Sequence, residues 1–141
     1  MNVFMTKMPS FIRREIEQLQ RIIGPVAKKA SKYTLWSFPL IIISVVNLVF
    51  LLFILPEEYR NTFTLILFAA IGAFGLALSK EAKHQKREIH KLSTDYMIKR
   101  IKKSEIVSQS SQNRYIRLIK EQPINMMHHF VKFLEEEKRQ E

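Results

Sequence analysis

The chain has 141 residues and no cysteine, which excludes disulfides, zinc–thiolate sites and thiol nucleophiles. It carries 23 Lys plus Arg against 13 Asp plus Glu, a formal net charge of +10, at a mean hydropathy of −0.08. That average hides a segregation: apolar residues fill the middle third and charges the two ends, and neither end alone is long enough to bury a large enzyme-type core. Three Gly and five Pro, widely spaced, argue against a disordered linker.

Met1 to Pro9 carries no structural signal. Ser10 is a candidate helix N-cap. After it Ile12, Ile16, Leu19, Ile23 and Val26 recur at alternating spacings of four and three, a coiled-coil-like seam on an amphipathic helix. That helix either packs on another or lies in the headgroup layer; its mixed Glu and Arg polar face favours packing. Gly24-Pro25 is expected to interrupt it, because the residue before Pro is pushed away from helical angles.

Residues 35–55 read LWSFPLIIISVVNLVFLLFIL and contain no charge. At about 1.5 Å per residue a helix of this length crosses a hydrocarbon core of about 30 Å. The run begins more than thirty residues in and ends in Leu55-Pro56-Glu57, so it is not expected to be a cleaved leader. Tyr33 and Trp36 stand where an interfacial aromatic belt would lie, and Pro39 falls near the first turn of the span. Asn47, near mid-span, is expected to hydrogen-bond across to another helix, since an unpaired amide in lipid is costly.

Residues 56–61, PEEYRN, are too short for anything but an antiparallel hairpin, and Pro56-Glu57-Glu58 could itself open the second helix. The second span, residues 62–79, is rich in small residues. Ala69, Ala73 and Ala77 share one face and Gly72 and Gly75 lie beside it, a spacing that lets helix backbones approach closely. The Ala face is expected to serve one contact, inside the hairpin or between copies, and the two Gly another. Residues 80–103 lack Gly and Pro and can continue the same helix, with a seam that passes from Ile89, Leu92 and Tyr96 to Met97, Ile98 and Ile101. Residues 108–113, SQSSQN, read as a loop, and residues 114–121 as a short helix. Pro123 opens another helix, with a stripe of Ile124, Met127, Val131 and Leu134 and with Phe130 and Phe133 beside it. Residues 135–141 are expected to fray.

The basic excess has two physical readings, nucleic acid and anionic headgroups. Lys28, Lys29 and Lys32 precede the first span and Lys80, Lys83, Lys86 and Arg87 follow the second, a placement that favours the membrane surface; nucleic-acid binding is not expected. Arg60 is the single basic residue of the link, so the positive-inside rule puts both termini in the cytoplasm. Glu81, His84 and Glu88 share a helical face but are crowded by Lys80, Lys83, Lys86 and Arg87, and His128 and His129 point apart; neither set is expected to hold a metal. No metalloprotease, phosphate-loop, dinucleotide or serine-hydrolase motif is present, so neither catalytic residues nor a cofactor are expected.

The W-S-F-P-L of residues 36–40 before an apolar run, the short Pro-Glu-Glu link and the long basic helix together resemble the YwnF-like small membrane proteins of Bacillus-type bacteria. That resemblance implies no activity. The expected fold is an all-α membrane protein: an amphipathic helical region over 1–34, a transmembrane hairpin of 35–55 and 62–79 joined by an external link over 56–61, and a basic helical region over 80–141. The expected role is a non-enzymatic, membrane-anchored interaction or scaffold protein that forms homo-oligomers and binds an unidentified protein, in a bilayer with anionic headgroups. A holin-like, pore-forming role is the alternative.

Overall fold

The structure, a computed structural model, describes residues 8–59 and 61–141, and among these every regular element is helical. Helix α1 spans Ser10–Val49 and passes through a π-helical turn, Phe50–Ile54. A 3-10 turn, Glu57–Tyr59, leads to α2, Thr62–Lys102. Helix α3 covers Gln109–Glu121, and after a 3-10 turn at Pro123–Asn125 comes α4, Met126–Gln140. Two helices are therefore long and apolar enough to cross a membrane. Arg60, on which part of the expected charge asymmetry rests, lies outside the described residues, as do residues 1–7.

Contrary to expectation, Gly24-Pro25 does not interrupt α1. Proline's fixed φ is already helical, so Pro25 removes one hydrogen bond and crowds the preceding turn without diverting the chain. Pro39 likewise sits inside a continuous helix. What Pro25 does mark is a change of neighbours: the chain divides into one unit of the residues up to Pro25 with Glu88–Glu141, and a second of Val26–Arg87.

The first unit joins the two flanks of the sequence around one core. Ile12, Ile16 and Leu19 from α1, Met97 and Ile101 from α2, Tyr115 and Ile119 from α3, and Phe130, Phe133 and Leu134 from α4 are all buried in it. The N-terminal amphipathic stripe is thus a packing stripe. Two edge-to-face ring pairs fix its geometry, Tyr96–Phe130 at 6.3 Å and Tyr115–Phe133 at 5.6 Å between centroids. Each large side chain so buried contributes about 1.5–3 kcal/mol from area removed from water.

The polar run at 108–113 is not a loop. Ser108 caps α3, its hydroxyl accepting from the Ser111 amide at 3.4 Å, and the helix starts at Gln109. Buried Gln112 donates to the carbonyls of Ser104 and Val107, at 2.7 and 2.9 Å, and so satisfies the connection that ends α2. The α4 stripe is rotated from the expected one: Phe130, Phe133 and Leu134 are buried, while Ile124 is 96% exposed. Ile124 belongs to the 3-10 turn before α4, whose three-residue period shifts the phase. Nor does the tail fray, since α4 continues to Gln140 and Glu136 and Glu137 hold partners.

In the second unit α1 and α2 run antiparallel. Leu55 is extended, at φ −79° and ψ 136°, the conformation favoured before Pro, and its amide closes the π turn on the Phe50 carbonyl at 3.1 Å. Helix α2 starts at Thr62, after the link: the Asn61 side chain accepts from the Phe63 amide at 2.9 Å.

Candidate functional site

Two constellations stand out, one in each unit. In the hairpin, the Ser44 hydroxyl donates to the Phe68 carbonyl at 2.6 Å, across from α1 to α2. That carbonyl lies one turn before Gly72, and a Cβ at position 72 would overlap Ser44 Oγ. Glycine at 72 is therefore what lets the hydroxyl reach the opposite backbone. At Gly75 a Cβ would come within 2.9 Å of Ile41 Cγ1 and 3.2 Å of the Ile41 nitrogen and Leu40 Cβ. The close backbone approach in the hairpin thus runs through Gly72 and Gly75.

The other expected packing residues behave differently. Ala69, Ala73 and Ala77 are exposed, on a part of α2 turned away from α1. Asn47 does not bond across helices: its Nδ2 donates to the Ile43 carbonyl in the previous turn of its own helix, at 2.7 Å. A side-chain amide four residues on can satisfy itself locally, so it requires no second helix. The interhelical bond comes from Ser44, which could have been suspected from its place three residues before Asn47 and level with the glycines. The basic residues Lys28, Lys29, Lys32, Lys80, Lys83, Lys86 and Arg87 are all exposed. Buried Ser37 returns its hydroxyl to the Thr34 carbonyl at 3.1 Å, and Thr34 to that of Ala30 at 2.9 Å, so this part of α1 exposes no unsatisfied hydroxyl at either position.

In the first unit Arg100 is held between two carboxylates. Its Nε donates to Glu15 at 2.9 Å, and its Nη1 and Nη2 form a fork on Glu137 at 3.2 and 2.7 Å. Tyr96 donates to the second oxygen of Glu15 at 2.7 Å, with the Gln18 amide 3.0 Å from the same hydroxyl. Burial pushes the Tyr96 hydroxyl up, and the bond to Glu15 adds to this. Burial opposes the charge of Arg100, but Glu137 and Glu15 more than offset it and raise the guanidinium further. Burial would also raise Glu137; the Arg100 fork outweighs it and holds the carboxyl below the usual range.

These groups line one side of an open groove of about 960 Å³, with Ser10, Phe11 and Arg14 of α1 and Lys103 to Ile106 of the α2–α3 connection among its walls. With Arg100 charged and both carboxylates engaged, the cluster ties α1, α2 and α4 together; it offers no unengaged base. None of these pairings was visible in the sequence, since Glu15, Arg100 and Glu137 are separated by 85 and 37 positions. Among the described residues no group of three or more His, Cys, Asp or Glu stands close enough to hold a metal.

The chain is 40% identical over 133 residues to the Uncharacterized protein YwnF of Bacillus subtilis (strain 168), covering 94% of this chain and 92% of that protein. No solved structure matches. A family described as a family of unknown function, DUF5392, matches residues 4–141, and with nearly the whole chain so covered, the protein belongs to that family.

Proposed function

We propose that this protein is an integral membrane protein of the cell membrane with both termini cytoplasmic, and that it works as an anchored, self-associating interaction module rather than as an enzyme. One observation carries the reading. Only 17% and 6% of the most apolar windows of the two long helices are buried. Core helices of a water-soluble protein are mostly covered, and soluble monomers rarely expose apolar patches beyond a few hundred Å². Here Leu35, Phe38, Phe53, Phe63 and Phe74 are each more than 60% exposed, a surface that suits lipid. The exposed lysines beside both spans suit anionic headgroups at the cytoplasmic face. The first unit, with its own core, is then the part that meets other proteins.

Self-association draws on the exposed Ala69, Ala73 and Ala77, since Gly72 and Gly75 are already occupied by α1. Single-cysteine variants along 69–77, crosslinked in native membranes, test it. Dimer formation at Ala69, Ala73 and Ala77, with none at Gly72 and Gly75, is the expected pattern. Uniform absence of crosslinks, with a monomeric mass in mild detergent, removes self-association. A pore draws no comparable support: residues 35–55 and 62–79 contain no charged side chain, and the mid-span amide is turned to its own helix.

A further inference from the structure

We propose that the hairpin carries a site for one anionic phospholipid, its acyl chain lying in the groove bounded by Lys32, Tyr33, Trp36, Leu40, Phe74 and Leu78 and its phosphate against Lys32. This rests on the membrane reading above and adds to it a defined place and a headgroup preference. The groove is about 230 Å³ and apolar. That is below the roughly 300–1,000 Å³ of sites for drug-sized ligands, and far too narrow for a second helix of about 10 Å diameter, but it admits part of one hydrocarbon chain.

Its direction is set by the register. Lys32, Trp36 and Leu40 follow at four-residue steps on one face of α1, about 12 Å from end to end. Gly75 abuts Leu40 and Ile41, so neighbouring Phe74 lies at the deep end and Leu78 nearer Lys32. Trp36 and Phe74 are about 60% exposed and form the walls, while Leu40 and Leu78 are half-buried and form the floor. The groove thus enters the apolar span at one end and opens among cations at the other. The Lys32 stem lines the groove, which leaves its ammonium free to reach the headgroup level. Exposed Lys28, Lys29, Lys80 and Lys83 make the same end strongly positive. Residues 80–91 hold two carboxylates, Glu81 and Glu88, against the five cations Lys80, Lys83, Lys86, Arg87 and Lys91, so the local excess is positive; Glu81 also accepts from the Gln85 amide at 2.8 Å. An acyl chain with an anionic headgroup matches both ends; a zwitterionic headgroup would leave the cations uncompensated.

Trp36 is the only tryptophan of the chain, so its fluorescence reports the groove directly. The full-length protein, reconstituted in phosphatidylcholine vesicles, is titrated with phosphatidylglycerol brominated on its acyl chains, and separately with phosphatidylcholine brominated in the same way. Brominated phosphatidylglycerol should quench Trp36 at a mole fraction about fivefold lower, the factor equivalent to the ~1 kcal/mol of one lysine near an anionic surface. Lys32→Ala, an exposed position, should abolish that difference while both lipids still quench. Equal quenching by the two lipids in the unsubstituted protein overturns the site but leaves membrane insertion standing. Full selectivity retained in Lys32→Ala overturns it as well. Quenching that weakens as the protein-to-lipid ratio rises assigns the groove to a second copy. Absence of quenching by either lipid overturns both this site and the membrane reading beneath it.

Discussion

The two units put their residues in opposite places. The first buries Phe130, Phe133, Ile101, Met97 and Ile119 to zero exposure and turns most of its charges outward. The second buries Ser44, Ser37, Ala30 and Ala82, closes on Gly72 and Gly75, and exposes Trp36, Phe38, Phe53 and Phe74. Each arrangement follows from the solvent it suits. In water, burying a large side chain is the main source of stability. Against lipid tails it gains nothing, and what remains is close backbone contact and an interhelical hydrogen bond such as Ser44 to Phe68.

This contrast breaks first where the core is aromatic. Phe130→Ala should destabilise the first unit by about 3–5 kcal/mol, seen as early loss of near-ultraviolet ellipticity on denaturation. Hairpin helicity in the same detergent micelles should persist; parallel loss of both would mean that the units do not differ as described. Next comes overpacking of the hairpin. Gly75→Leu should cost about 1–3 kcal/mol there, because its side chain would meet Ile41 and Leu40, whereas Ala73→Leu should leave the pairing of α1 and α2 intact. Distance measurements between spin labels on the two helices would separate these outcomes.

A smaller effect sharpens the comparison. Ser44→Ala removes the interhelical bond and should cost about 0.6 kcal/mol, the usual size of such bonds in membranes. Asn47→Leu should leave the pairing of the helices unchanged, since that amide serves its own helix. A larger loss from Asn47→Leu than from Ser44→Ala would reverse the assignment.

The smallest expected effect is acidification of the first unit. Glu137 titrates below its ordinary value when folded, so its contribution is complete above the unfolded carboxylate value and is lost as pH falls through the lowered folded one. Glu137→Gln should flatten that part of the stability–pH curve, measured as the denaturation midpoint across the carboxylate range. An unchanged acid limb would show that the Arg100 fork does not couple to folding.

The two long apolar helices, their antiparallel pairing, the long basic continuation of α2 and the Ile12–Ile16–Leu19 stripe could all be read in the sequence, because each is a local period or a local composition. What could not be read depends on distant partners. Arg100 meets Glu15 and Glu137 only after both flanks fold together. The polar string at 108–113 hid a helix because Ser108 is a cap and Gln112 a buried donor, roles that composition does not distinguish from a loop. Within α2, small residues on two neighbouring faces looked interchangeable; the Ser44 hydroxyl selects the glycines. In the sequence the small hydroxyl of Ser44 is a weaker signal than the larger amide of Asn47.

The central claim is that the hairpin lies in the bilayer with the first unit on the cytoplasmic side. The absence of native cysteine makes site-directed thiol labelling direct. Glu58, in the link, and Ser110, in the first turns of α3, are both exposed, and Ser110 leaves the Ser108 cap intact. In intact cells Glu58→Cys should react with a membrane-impermeant maleimide, and Ser110→Cys should react only after permeabilisation. Labelling of Ser110→Cys in intact cells with Glu58→Cys protected, or equal labelling of both, would contradict the account.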